Sequence, residues 1–320
     1  MKRNELEELA QDLKSYPGIL RKKHAVHFKD IVGEFFGEDG GFISLGDNEI
    51  VFTADGIWHE VLEKDLFWGG FVSILVNIHD IYAMGAKPVM AVNVITARDI
   101  ESLKIMKNGI KAALDKFSIK LVKGHVHPDE DINALDVAMI GIAKKGKVIR
   151  STTAREGDRI IVAVDTDGKP HEKLPYNFDT TFKPSGILKR QFESMVYLAE
   201  NELVSSGKDI SNAGILGTVA MLLEASRKGG FVDIEKIPKP GELDLAHWLK
   251  SYPACGFVVT TQKAPEVIEV FKKHGLDAKV IGIVDGSRKF RIRNGDAEIV
   301  FYDFRVEGIL SESGIDQEVG

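Results

Sequence analysis

The chain reads as two domains of mixed helix and strand. Three observations predict this. Its 320 residues are about twice the length of a typical domain. From residue 31 onward, helical and strand-like periodicities alternate, the pattern of helices layered on a sheet. Midway, a polar stretch from Lys144 to Asp158, holding Gly146 and Gly157, interrupts the alternation. The composition, 44% apolar and 28% charged, supplies one or two cores without disulfide or metal staples.

The elements follow in order. Residues 1–30 are an extension, with a polar helical stretch from Leu6 to Leu13, a break at Pro17-Gly18 and a basic cluster, Arg21-Lys22-Lys23. These residue types read as a solvated helix and loop or as a functional basic patch. In the first domain, 31–147, strands are expected at 50–54, 89–95, 119–122 and 136–143. Residues 66–84 form a helix, because Phe67, Phe71, Ile74, Leu75, Ile78, Ile81 and Tyr82 recur at a 3.6-residue period. Gly85 and Pro88 stop it. A second helix runs from Asp99 to Phe117. In the second domain, 148–305, strands at 160–164, 232–234, 257–261 and 279–284 bracket helices at 187–204, 212–227, 242–250 and 264–274. Residues 306–320 are an acidic tail.

Several function classes are set aside. The single cysteine, Cys255, excludes an internal disulfide framework. A net charge of −6 is wrong for a nucleic-acid binder. Residues 1–8 are charged and lack the apolar stretch of a signal peptide, and no run approaches ~18 uninterrupted apolar residues. A cytoplasmic protein without nucleic-acid or membrane partners is expected. Neither a Walker phosphate loop, nor a serine nucleophile elbow, nor a Rossmann glycine fingerprint is present.

Aspartates at element ends, beside glycines or small residues, stand out instead. Asp39 precedes Gly40-Gly41, Asp55 precedes Gly56, and Asp209 precedes Ile210-Ser211-Asn212. Asp80 lies on an otherwise apolar helix, in a stripe with Ser73 and Asn77. A carboxylate there needs a partner, either a basic side chain or a cation. Magnesium takes such oxygen ligands together with substrate phosphates, and glycines let backbone approach phosphate closely. Ser211 and Asn212 suit an anion at a helix start, or plain N-capping. His125-Val-His127-Pro-Asp129 allows zinc, a loop contacting phosphate or metal-bound water, or solvated histidines.

Four segments resemble the superfamily of aminoimidazole ribonucleotide (AIR) synthase, thiamine-phosphate kinase, selenophosphate synthetase and the hydrogenase maturation protein HypE. They are Gly37-Glu-Asp-Gly-Gly-Phe-Ile43, Thr53-Ala-Asp55, Asn77-Ile-His-Asp-Ile-Tyr-Ala-Met-Gly-Ala-Lys-Pro88, and Lys208-Asp-Ile-Ser-Asn-Ala-Gly-Ile215. The third is the most specific. The stretch from Arg150 to Gly157-Asp158 is similar to the family's domain junction. Within the superfamily the chain looks closest to methanogenesis marker protein 2, through Lys123-Gly-His-Val-His-Pro-Asp129 and His247 to Phe257.

The resemblance implies a two-domain α+β, PurM-like fold. Its N-terminal domain would be ferredoxin-like and barrel-forming across a homodimer, and its C-terminal domain an α+β sandwich, with ATP and Mg2+ between them. Asp39, Asp55, Asp80 and Asp209 match metal ligands. Gly40, Thr53, Asn77, Gly124, Arg150 and Ser211 match nucleotide-site positions. Asp55, Asp80 and His125 are the candidate catalytic residues. The implied activity is ATP-dependent phosphoryl transfer or activation of an unknown acceptor. The alternative is a non-catalytic nucleotide-binding maturation partner. Two departures bear on this choice: Lys123-Gly124-His125 stands where the kinases carry Gly-Gly-Asp, and Asn212 stands where they carry Asp.

Overall fold

Alternating burial on two long strands organises the first sheet. In the computed structural model, which describes residues 1–241, 243–252 and 256–311, this sheet holds β1 (Gly41–Leu45), β2 (Asn48–Gly56), β3 (Lys87–Thr96), β4 (Lys120–His127) and β5 (Ala134–Lys144). Their order is β1-β2-β5-β3-β4, antiparallel except for β3–β4. A parallel pair needs a long crossover, and helix α6 (Ile100–Phe117) provides it. Asp99 caps that helix, its carboxylate accepting from the Ser102 N–H at 2.7 Å. On one sheet face Val51, Ala91, Val137 and Met139 are buried in a core with α5 (Leu66–Ala83) and α6. The other face stays open, with Phe52, Val92, Val94 and Ile142 exposed.

Helix α5 is apolar all round and buried almost throughout, as a central helix must be. By length and composition it could cross a membrane, yet 83% of it is buried inside the protein. The absence of any uninterrupted run of about 18 apolar residues still holds, because this helix passes only on its mean hydropathy. Ser73, Asn77, His79 and Asp80 interrupt the apolar run without lowering its mean enough.

The second sheet has seven strands, β6 (Arg159–Val164), β9 (Ser206–Asp209), β10 (Gly229–Asp233), β11 (Gly256–Thr261), β12 (Asp277–Asp285), β13 (Lys289–Asn294) and β14 (Ala297–Asp303), ordered β14-β13-β10-β12-β6-β11-β9. A separate ribbon pairs β7 (Lys169–Pro170) with β8 (Phe178–Asp179). Ile161 and Ala163 of β6 join the first core with α7 (Ser185–Glu200) and α10 (Ala264–Lys273). Ile160, Val162 and Val164 face a second core with α8 (Gly214–Ala225) and α9 (Leu245–Lys250). The sheet is thus sandwiched between helical layers, and the first core runs continuously from one domain into the other. Cys255 and the tail beyond Ser311 lie outside the described residues.

Three expectations are corrected. Helix α1 (Arg3–Lys14) is not a solvated helix: Leu6, Leu9, Ala10 and Leu13 form an i, i+3, i+4, i+7 stripe buried in the second core. Strand β4 does not end at Val122, because it pairs with β3 through Val94–His125 and Thr96–His127. Residues 289–303, left without an element above, form the β13–β14 hairpin. After α1 come α2 (Pro17–Leu20), a 3-10 segment (Arg21–Phe28) and α3 (Lys29–Val32). Leu13→Ala should lower unfolding free energy by about 2–5 kcal/mol, since Leu13 is 1% exposed. A denaturant titration showing a cost below about 1 kcal/mol, the range of surface substitutions, would mean that α1 is not part of the core.

Candidate functional site

Four chain segments bring carboxylates together where the domains meet. Asp39 comes from the loop before β1, Asp55 from the end of β2, Asp80 from α5 and Asp209 from the end of β9. One oxygen each of Asp39, Asp80 and Asp209 lies within 4.8 Å of the others. Gly40 permits this approach: a Cβ there would sit 2.3 Å from the Phe52 carbonyl oxygen of β2. The Thr53 hydroxyl lies 2.6 Å from Asp80 Oδ2 and 3.0 Å from the Asp39 carbonyl oxygen, and donates to one of them at a time. The Asp209 N–H donates to Asp39 Oδ2 at 3.2 Å. Lys208 Nζ forms an ion pair with Asp39 and donates to the Gly37 carbonyl at 3.3 Å.

The cluster is charge-frustrated. Burial, then repulsion from Asp55, Asp209 and Asp39, raises the Asp80 carboxyl well above the usual range, against the Thr53 hydrogen bond. Asp209 is pushed up to about 8 by burial and by Asp39, with Lys208 opposing. Burial raises Asp39 although Lys208 pulls the other way. Asp55 opens onto the cleft, where enclosure by protein raises its carboxyl and Lys22 and Lys208 oppose. Burial alone would lower Lys208, but Asp39 and Asp209 outweigh it and hold the ammonium above its ordinary value. No described Lys or Arg pairs with Asp80 within 4.0 Å, and its carboxylate accepts from the Thr53 hydroxyl, so a cation stays open as its charge partner. An oxygen-only set of crowded carboxylates suits a hard divalent cation, and these residues fit magnesium.

Other candidate residues divide in two. Ser211 adjoins the carboxylates, and its hydroxyl has no hydrogen-bond partner among the described residues. It does not cap α8: that helix starts at Gly214 with Ala213 at the cap. Asn77 lies on α5, and its amide donates to the Ser73 carbonyl at 2.8 Å, within the helix. Arg150 donates from Nε to Glu38 Oε1 at 2.9 Å and from a terminal nitrogen to the Glu34 carbonyl at 2.7 Å. Gly124 and His125 are not brought to the cluster within one chain. They lie on edge strand β4, and Gly124 shares a cross-strand row with Asn93, Val137 and Asp55. Three strand spacings separate that row's ends, about 14 Å. His125 and His127 stack edge-to-face at 4.6 Å, and the one three-ligand grouping among the described residues omits both.

Sequence reasoning gave no individual role to Lys22, Lys208 or Glu38, although a functional basic patch was one reading of Arg21-Lys22-Lys23. Glu38 also accepts from the Thr152 hydroxyl at 2.7 Å, and so ties the loop before β1 to the domain junction. Its place beside Asp39 in the Gly37 motif was the available signal. Lys22 gave none beyond its basic neighbours.

Three connected spaces surround the carboxylates. A cleft of about 380 Å3 holds them with Lys22, Thr53, Lys208 and Ser211. It opens into a groove of about 830 Å3 over the open sheet face, past Phe35 and Thr53 to Met90, Val92 and Ile140. On the other side a cavity of about 100 Å3 shares Lys22, Asp55, Asp209 and Ser211 with the cleft and adds Arg21, Trp58 and Asn212.

Residues 37–143 match the family described as AIR synthase related protein, N-terminal domain, and residues 180–294 match its C-terminal domain. An uncharacterised protein of Methanocaldococcus jannaschii is 42% identical over 95% of this chain and 98% of its own length. One of Synechocystis sp. is 32% identical over 86% and 89%. Among solved structures, T. maritima PurL complexed with AMPPCP has a TM-score of 0.76 at 18% identity. That similarity covers 94% of this chain and 51% of PurL, so the chain spans about half of that protein. The two-domain α+β architecture and these matches agree: the chain belongs to the AIR synthase-related superfamily.

Proposed function

We propose that this protein binds ATP with magnesium in the interdomain cleft and uses it to phosphorylate or activate a small acceptor. The observation that carries this reading is the oxygen-only cluster of Asp39, Asp80 and Asp209, with Asp55 at its edge, opening onto a long apolar groove. Asp39, Asp55, Asp80 and Asp209 would hold the metal. When bound, it would neutralise phosphate charge in a reaction governed by positioning and electrostatics. The chain's own groups set the stage. Lys208 and the Asp209 N–H fix Asp39, and Thr53 orients Asp80. The Ser211 hydroxyl is available to a phosphate oxygen. The groove along Val92 and Ile140 suits the nucleoside. Arg150 would reach phosphate by exchanging its bonds to Glu38 and Glu34. T. maritima PurL, solved with AMPPCP, supports the nucleotide assignment.

The likeness to methanogenesis marker protein 2, with a Methanocaldococcus relative, favours a role in cofactor or enzyme maturation in the cytoplasm, and the relative in Synechocystis sp. means that such chains are not confined to one lineage. We also propose a homodimer through the open face of the first sheet, whose apolar rows are exposed.

Calorimetry with AMPPCP tests the nucleotide reading. Binding should be measurable with millimolar magnesium and weaken at least about a hundredfold, on the order of 3 kcal/mol, in excess EDTA. Equal affinity in EDTA, or no binding in either condition, would sink it.

A further inference from the structure

We propose that Lys22, on the N-terminal arm, is the residue that grips the terminal phosphate of the bound nucleotide. The proposal rests on reading the cleft as a nucleotide site. Nothing in the family motifs points to this residue; its placement does. The arm is fixed upstream by Tyr16 and Ile19, both buried in the second core. Gly18 then passes so close to the second domain that a Cβ there would sit 2.0 Å from the Asn212 carbonyl oxygen. Four residues later the half-buried Lys22 lines the cleft beside Asp55, Asp80 and Asp209.

Despite three nearby carboxylates, Lys22 has no hydrogen bond or ion pair within 4.0 Å among the described residues. Lys208 behaves differently, being bound to Asp39 and to the Gly37 carbonyl. An enclosed ammonium without a partner is costly unless an anion completes it. On the nucleotide reading the carboxylates would serve the cation, and the anion that completes Lys22 would come from the ligand.

Position selects which phosphate. The groove suited to the nucleoside leaves the cleft on the Phe35, Glu38 and Thr53 side. Lys22 does not line that groove; it lines the part of the cleft shared with the small inner cavity. A triphosphate running from groove to cavity ends at Lys22. A lysine suits this place as a compact point charge with rotatable donors.

The test compares AMPPCP with ADP, both with magnesium, by calorimetry on the full chain and on Lys22→Met and Lys22→Arg. In Lys22→Met, AMPPCP affinity should fall about tenfold to a hundredfold, while ADP affinity changes less than about twofold. Lys22→Arg should restore most of the AMPPCP preference. An unchanged AMPPCP-to-ADP ratio in Lys22→Met, whether both affinities hold or both fall together, overturns the proposal. Failure of the unaltered protein to bind either nucleotide overturns the nucleotide reading itself, and this proposal with it.

Discussion

Asp80→Asn should make the metal-free protein more stable while abolishing its magnesium-dependent nucleotide binding. The two effects have one cause. Asp80 is 8% exposed on an apolar helix, and its charged form is opposed by burial and by Asp55, Asp209 and Asp39. Asparagine is nearly the same size and retains an oxygen to accept from Thr53. It removes the repulsion without opening a cavity. A gain of about 0.5–2 kcal/mol is the usual return for relieving a strained functional position, which raises the melting temperature by about 2–4 °C per kcal/mol in domains of this size. The cost falls on binding. A neutral amide in place of a carboxylate within 4.8 Å of both Asp39 and Asp209 should weaken the proposed cation site. AMPPCP affinity in magnesium should then fall at least about a hundredfold, on the order of 3 kcal/mol. Differential scanning calorimetry and titration calorimetry on the same sample read both quantities. A lower melting temperature would show that Asp80 has a stabilising partner in the free protein, and unchanged AMPPCP affinity would remove it from the metal site.

The sequence announces the site better than it announces the surroundings. Asp80 was legible because a carboxylate on the apolar helix 66–84 violates the helix's own pattern, and the structure buries that helix nearly whole. Its spacing from Asp39, Asp55 and Asp209 in the chain says nothing about proximity; only the shared core brings α5 and β9 together. Strand β9, Ser-Gly-Lys-Asp, has no apolar residue and no strand propensity, and it forms because β11 offers it an edge. The β13–β14 hairpin did carry a signal, Asn294-Gly295 between alternating apolar residues, which is a strong turn marker. Helix α1 was misread because its mean polarity hides a four-residue apolar stripe. Lys22 was illegible as an individual: three adjacent basic residues read equally as a solvated loop or a basic patch, and what distinguishes one of them is an arm path set by Gly18 against Asn212.

Ile142→Glu should convert a dimer into a monomer and, with it, weaken nucleotide binding. On the open face of the first sheet, Ile43, Ile50 and Ile142 form one cross-strand row and Phe52, Ile140 and Met90 a second. Ile43 and Ile142 are 58% and 40% exposed, and among the described residues the outer edges of strands β1 and β4 are unpaired. A continuous apolar face of this kind with open edges marks an association surface. In the homodimer proposed above, a second copy would cover it with the same face by two-fold symmetry. A glutamate in the centre of such an interface is buried without a partner, a cost on the order of 3–5 kcal/mol by analogy with half-removed buried ion pairs. Light scattering at about ten micromolar, well above a Kd typical of stable dimers, should show a dimer for the unaltered chain and a monomer for the variant. A monomer in the first case, or a dimer in the second, would sink the proposal. The nucleoside groove runs across this same face, yet Ile142 does not line it. Any loss of AMPPCP affinity in the variant must therefore come through the missing copy, which would roof the groove. Retained affinity in a proven monomer would show instead that one chain builds the whole nucleotide site.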